Sequence, residues 1–286
     1  MKQSGIAKDQ VGGQMPEPLK DALKTETVRS LSASGRILAY HEVEAKESNY
    51  IYAVTSPQLD EHLKFVAERN RRHSDETQVT FDDGHISNFL IARPLLEKHA
   101  LKATFFVTAG RVGIHPQTMT GGQLRALADN GHSVQSHGWS HKFLIQCSPV
   151  ELRNELSRSK VALENHTGAA VDAISVPGGR WNARVLRAAA EAGYQRVYTS
   201  DFWRKNAFRE GVNLAGRIMV RNSMSIEQIE KWLSTGAEDL RILKVKHGLK
   251  NMIRRATGDH LYHKLWCWLA VSKSEVADKR NEQVEL

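Results

Sequence analysis

Between residues 36 and 236, short β-branched and aromatic runs take turns with longer amphipathic ones, and this alternation limits the fold more than any other feature. The strand-like runs fall at 36–43, 78–81, 102–108, 132–137, 173–176, 195–200 and 214–220. Helix signals lie between them. Ser56-Pro57 with Asp60 reads as a helix start, and 87–99 and 122–130 read as helices, the latter closed by Gly131. Ser148-Pro149-Val150-Glu151 is a capping box, Asn182 opens a helix ended by Gly193, and Ser225 with Gln228 opens one that stops at Gly236. Hydroxyl or amide side chains with proline start helices, and glycine ends them. Strands that alternate singly with helices are joined by crossovers and therefore run parallel. A barrel and a doubly wound sheet both satisfy the pattern, and in either the chemistry belongs at the C-terminal strand ends.

The flanks differ. Residues 1–35 are polar and aperiodic, which predicts a mobile leader without the apolar run of a signal peptide. No apolar stretch approaches the roughly 20 residues that span a bilayer, so the expectation is a cytoplasmic or membrane-peripheral protein. Residues 237–286 form a basic tail in which Ile242, Val245, Leu249 and Met252 make a helical stripe, followed by Tyr262, Leu265, Trp266, Trp268 and Leu269. With a net charge of +8, such a tail suits an anionic membrane surface, or packing on the barrel with its lysines in water. It lacks a nucleic-acid reading motif, so no nucleic-acid partner is expected. Cys147 and Cys267 fit neither a metal-ligand spacing nor a disulfide framework.

Four strings carry chemistry. Thr80-Phe81-Asp82-Asp83-Gly84 puts two carboxylates at a strand end, where one can bind a cation and the other stay free as a base. Alone, Asp-Asp-Gly is an ordinary turn. His137-Gly138-Trp139-Ser140-His141 follows another strand, and its two imidazoles with Asp83 would make a three-ligand facial set with open positions. Zinc is the default ion for such a set, and iron, cobalt or nickel also fit. Pro177-Gly178-Gly179 follows the 173–176 run, where glycines allow close approach of a substrate and offer N–H groups to an oxyanion. Ile37-Leu38-Ala39-Tyr40-His41 ends a strand on an imidazole able to act as an acid.

In this order and at these separations, the strings resemble the polysaccharide deacetylases with NodB-like homology, over about residues 36–220. The resemblance implies a distorted (β/α) barrel of about seven parallel strands, hydrolysis of N-acetyl groups on an amino-sugar polysaccharide or its precursor, and a divalent metal. It makes Asp82 the base and Asp83, His137 and His141 the ligands. Two departures stand out: Ser175 occupies the position of the arginine that usually pairs with the base, with Arg180 a nearby substitute. The late histidine that usually serves as acid is absent, His247 being the nearest. A leading strand ending in Tyr-His is similar to the biofilm poly-N-acetylglucosamine deacetylases, which favours His41 over His247 as the acid.

On this reading Pro177, Gly178, Gly179, Arg180 and Trp139 line the substrate site. An N–H of Trp139 or His141 faces the oxyanion, and Trp139, Trp181 and Trp203 are candidates to stack on sugars. The alternatives are a hydrolase of the same superfamily acting on a small amide, and an inactive carbohydrate-binding protein.

Overall fold

The computed structural model describes residues 36–202 and 206–234. The leader, Trp203, His247 and the tail 237–286 lie outside these residues. In chain order the first half contains β1 (Ile37–Tyr40), β2 (Glu42–Glu44), β3 (Ala53–Thr55), α1 (Ser56–Arg72), β4 (Gln78–Phe81), α2 (Arg93–Lys98), β5 (Ala103–Val107), α3 (Gly121–Asp129) and β6 (Ser133–Ser136). The second half adds α4 (Pro149–Thr167), β7 (Ala173–Ser175), α5 (Ala183–Glu191), β8 (Arg196–Thr199), β9 (Ala207–Arg209), β10 (Val212–Gly216), β11 (Ile218–Met219) and α6 (Ile226–Ser234).

The main sheet runs β11-β1-β4-β5-β6-β7-β8-β10-β9. Every adjacent pair is parallel except β9 with β10. Each of the seven expected runs supplies a strand. The last supplies two, because residues 212–219 change neighbours partway along. Its first half pairs with β8, Leu214 opposite Val197, and its second with β1, Ile218 opposite Leu38. The two ends of the parallel sheet therefore meet in one stretch of chain at Arg217, whose N–H still bonds the Thr199 carbonyl. This is the distorted barrel rather than an open sheet. Gly216 makes the crossing possible, since a Cβ there would lie 2.1 Å from the Asp201 carbonyl oxygen.

The 36–43 run is likewise not one strand. It breaks at His41, after which β2 leaves the barrel to pair with β3 in a separate two-stranded sheet. The 87–99 run is also divided: 88–92 form a π-helical turn, and α2 begins at Arg93 beside Pro94, whose ring lacks an N–H and restricts the residue before it. Helix starts largely follow the expected signals. Ser148 and Glu151 close their capping box on α4, whereas the hydroxyl that caps α1 belongs to Thr55 rather than Ser56.

Alternation along the strands creates two apolar layers. Tyr40, Phe81 and Phe105 stack in a row with ring centroids 5.4 and 5.2 Å apart, beneath α1, where the Tyr40 hydroxyl meets His62 Nδ1. Each is fully buried, and such burial stabilises by about 2 kcal/mol per ring. Phe106 and Tyr198 face the other way and pack with Ile37 and Ala173 as the barrel's inner filling. Among the described residues no helix is long and apolar enough to cross a membrane.

Candidate metal and catalytic site

Asp82 and Asp83 reach one site by different means. Thr80 points inward, its hydroxyl bonding the Leu38 carbonyl, and Asp82, two residues on, shares that direction and is 2% exposed. Asp83 would point away, but its φ of +71, followed by +78 at Gly84, turns the chain back. A left-handed conformation at a non-glycine residue costs on the order of 1 kcal/mol or more and survives only where its surroundings enforce it. Here Thr108 N–H bonds the Asp83 carbonyl and Met119 N–H that of Gly84. The Gly84 Cα lies so close to Val107 that a Cβ would be 2.8 Å from its methyl group.

His137 continues β6, its N–H bonding the Val107 carbonyl, and His141 follows with φ +67. Asp83 Oδ1 lies 3.3 Å from His137 Nε2 and 3.0 Å from His141 Nε2, and the three ligand atoms lie within 4.8 Å of one another. His137 Nδ1 sits 2.7 Å from the Ser175 carbonyl, an acceptor, so Nδ1 carries the proton and Nε2 turns a lone pair toward Asp83. Asp83 Oδ1 is buried with no hydrogen-bond donor aimed at it. Lone pairs facing one another without a shared proton repel, and a divalent cation between them removes the conflict. The residues therefore fit a metal ion. Burial opposes the Asp83 charge, and it is imidazoles carrying a proton on Nε2 that would hold its carboxyl well below the usual range. Burial likewise disfavours charged His137, and the fields of Asp82 and Asp83 raise it.

The three residues between the histidines are held by an acid that the sequence motifs do not include. Glu155 accepts the N–H groups of Trp139 and Ser140, each at 2.9 Å, and the Ser140 hydroxyl at 2.5 Å. Its signal was present: Leu152, Glu155, Leu156, Ser159 and Leu163 form the buried face of α4, and an acid on an apolar stripe needs a partner. The Trp139 N–H is thereby committed, which corrects its expected role toward an oxyanion.

The partner of Asp82 is also different from expectation. Arg180 lies over the Phe143 ring at 4.3 Å, and it is Arg217 that grips Asp82. Its Nη1 and Nη2 each reach a carboxylate oxygen at 2.7 Å. Nη1 also donates to Thr80 Oγ1 and Nη2 to Ser175 Oγ, which in turn donates to Asp82 Oδ2. Burial pushes the Asp82 carboxyl up, but Arg217, His137 and His41 outweigh it and hold it at about 2. A bidentate, hydrogen-bonded guanidinium is the arrangement that makes a buried carboxylate tolerable. The sequence signal is an arginine within an otherwise apolar strand run.

His41 follows Tyr40, which pairs with Phe81, so the imidazole lies beside Asp82. Its carbonyl accepts from Asn88 Nδ2 at 2.7 Å, its ring stacks on Tyr52 at 4.9 Å, and its Nδ1 is buried without a hydrogen-bond partner. Burial lowers the His41 pKa, with Asp82 and Asp83 opposing. Pro177-Gly178-Gly179 form a tight turn with φ of +64 and +66 at the glycines. Gly179 N–H bonds the Val176 carbonyl and is committed within the turn, against the expectation that it faces an oxyanion. A Cβ on Gly178 would meet Phe143, and one on Gly179 would collide with Ser200. Trp139 is part-buried, with the Arg158 guanidinium 4.0 Å from its ring centroid and Gly110 against its indole. Trp181 donates its ring N–H to Asp201.

Residues 69–197 match the family model described as polysaccharide deacetylase. YxkH of Bacillus subtilis, assigned by name to the polysaccharide deacetylases, is 29% identical over 196 residues, 63% of this chain and 67% of its own. The peptidoglycan-N-acetylglucosamine deacetylase PgdA of Listeria monocytogenes is 28% identical over 171 residues, 58% of this chain but 35% of its own. The structure of the Streptococcus pyogenes deacetylase PplD superposes with a TM-score of 0.60 at 23% identity, covering 70% of this chain and 98% of that one. That last likeness is one of fold.

Proposed function

Because this chain carries a polysaccharide deacetylase domain, we propose that it hydrolyses N-acetyl groups on an amino-sugar polysaccharide or a precursor of one. The proposed ligands of its metal are Asp83, His137 and His141. The observation that carries this reading is a convergence at one barrel rim. Three metal-ligating atoms lie within 4.8 Å of one another, beside a buried carboxylate paired to Arg217 and a buried imidazole nitrogen without a partner. Two imidazoles and a carboxylate suit zinc first, with cobalt, nickel and iron as alternatives.

A divalent ion held there supplies Lewis-acid polarisation of the acetyl carbonyl and acidifies water enough for a carboxylate as weakly basic as Asp82 to take its proton. Asp82 remains ionised across the physiological range. Three hydrogen bonds reach its two oxygens, leaving one of about four lone-pair positions for the water. Arg217 and Ser175 fix the direction of that lone pair. The acyl carbon gains the water oxygen, whose proton passes to Asp82, as the C–N bond breaks. His41, protonated from solvent against the opposition of burial, delivers its proton to the departing sugar amine, so acetate and a free amine are the products. The His141 N–H is the proposed donor to the oxyanion, the Trp139 N–H being bonded to Glu155.

The test is acetate release from a defined N-acetylglucosamine oligomer by purified protein, before chelation, after it, and after zinc is returned. Release that disappears and returns with the metal supports the reading. Metal-loaded protein that releases none refutes the substrate class. Asp82→Asn should keep one metal ion per chain and lose about 10²–10⁴-fold in turnover. Full activity in that variant removes Asp82 as the base.

A further inference from the structure

The connection from β2 to β3, residues 45–52, ends in Tyr50-Ile51-Tyr52 beside the site. Tyr52 stacks on the His41 imidazole with an interplanar angle of 29°. Tyr50 meets Tyr52 edge-on, centroids 5.8 Å apart at 74°. Unlike Tyr40, which is fully buried, Tyr50 is 40% exposed and Ile51 beside it 49%. The Tyr50 hydroxyl is pushed up to about 12, chiefly by burial and then by Asp83 and Glu42, so the phenol lies within the field of the metal-site carboxylate.

The backbone that carries these rings is fixed. Asn222, just past β11, donates its N–H to the Ile51 carbonyl at 2.9 Å and its side-chain amide to the carbonyls of Ser48 and Tyr50. Gln58 of α1 secures Asn222 in turn through the Asn222 and Met224 carbonyls. Tyr50 N–H bonds the Ser48 hydroxyl, and Ala53 N–H the Tyr50 carbonyl. A loop this tied presents its side chains with little left to lose in ordering on binding.

We infer that Tyr50 and Tyr52 form an aromatic subsite for a sugar unit neighbouring the one deacetylated, making the enzyme selective for oligomers over monomers. The inference rests on the glycan-deacetylase reading of the site and names where its second sugar binds. A pyranose has an apolar C–H face edged by hydroxyls, and tyrosine answers with an apolar ring and a polar tip on few rotatable bonds. Packing against His41 places the pair next to the group proposed to protonate the leaving amine. A free monosaccharide would fill the reacting position and leave the tyrosines untouched.

The test compares wild type, Tyr50→Ala and Tyr50→Trp on an N-acetylglucosamine tetramer, the N-acetylglucosamine monomer and a small aryl acetate, with thermal midpoints as the folding control. For Tyr50→Ala we expect KM for the tetramer to rise about tenfold, the scale of one aromatic contact. Its kcat, and its rates on the monomer and the aryl acetate, should not change. Tyr50→Trp should restore most of the tetramer KM. A wild-type KM for the tetramer in Tyr50→Ala overturns the subsite and leaves the deacetylase reading intact. An equal loss on tetramer, monomer and aryl acetate also overturns it, by showing a general effect on the catalytic centre. Wild-type protein that spares the tetramer altogether refutes the deacetylase reading, and the subsite with it.

Discussion

Arg217→Met removes both 2.7 Å bonds to the Asp82 carboxylate and leaves it with the Ser175 hydroxyl at 3.1 Å. The two side chains are 2% and 3% exposed, so water cannot take the place of the guanidinium. Two routes bound the cost. Keeping the carboxylate charged and buried without its partner costs about 3–5 kcal/mol. Letting it take a proton at pH 7 instead costs about 4 kcal/mol, from the gap between neutrality and its ordinary pKa. The cheaper route governs, so the loss should be about 3–4 kcal/mol. Methionine keeps much of the bulk against Phe106 and Tyr198, over which the guanidinium now lies at 5.1 and 5.9 Å, so little of the loss is packing. The assay is urea unfolding at pH 7 with a chelator present, on wild type, Arg217→Met, Asp82→Asn and the double variant. In the Asp82→Asn background the methionine should cost less than half as much, a coupling of about 2 kcal/mol or more. Equal losses in both backgrounds, or an unmoved midpoint for the single variant, would refute the claim that the pair is coupled.

Glu155→Ala leaves the Trp139 and Ser140 N–H groups and the Ser140 hydroxyl without their acceptor, so metal affinity should fall about 10–100-fold by chelator competition. An unchanged affinity means the loop does not need its grip. His62, with burial lowering its pKa from 6.5 to about 4, binds its proton more readily in the unfolded chain. Its contribution to stability is full above 6.5 and lost as pH falls toward 4, which amounts to about 2 kcal/mol by pH 5. In His62→Gln the fall in urea midpoint between pH 7 and pH 5 should shrink by that amount, and an identical fall in both proteins rules out His62 as its source. Gly179→Ala places a Cβ 1.8 Å from the Ser200 hydroxyl at a φ of +66 and should lower stability by about 1–3 kcal/mol. Adding Ser200→Gly should recover part of the loss in a thermal melt, leaving the cost of φ, and no recovery would put the whole effect in the backbone.

Much of the site was legible because its pieces share one rule. Asp83, His137 and His41 each stand just past a parallel strand, and strand ends of one polarity lie on one rim, so finding the strands placed the candidates together. The rule says nothing about direction. Strand alternation sends Asp82 inward and Asp83 away, and only the left-handed turn at Asp83 and Gly84 brings the second acid back. The role of Glu155 was hidden for a different reason: the acid stands out on the apolar face of α4, but two of its three partners are backbone N–H groups, which carry no sequence identity. β9 was missed because Ala207-Phe208-Arg209 is short and its ring is 71% exposed, offering no alternation to read.

Arg217 is visible as an arginine in an apolar strand run, but its pairing with Asp82 lay beyond reach for a topological reason. It contacts Asp82 across 135 positions, and it does so because residues 212–219 switch partners at that point, from β8 to β1. Periodicity locates a strand but not the residue at which its pairing changes. Once the switch is at 217, several consequences follow together. The crossing residue faces the inside of the barrel, where a cation can neutralise Asp82. The strand that leaves the crossing ends beside β1, and Val220 N–H bonds the Ala39 carbonyl two residues before His41. Asn222 then lies where it can clamp the loop bearing Tyr50 and Tyr52. Closing the barrel, charging the base and fixing the proposed sugar platform are thus tasks of one seven-residue stretch, Gly216 to Asn222. A change in that stretch that loosens the seam should disturb the base and the sugar platform together, whereas a change at Glu155 should reach the metal loop alone.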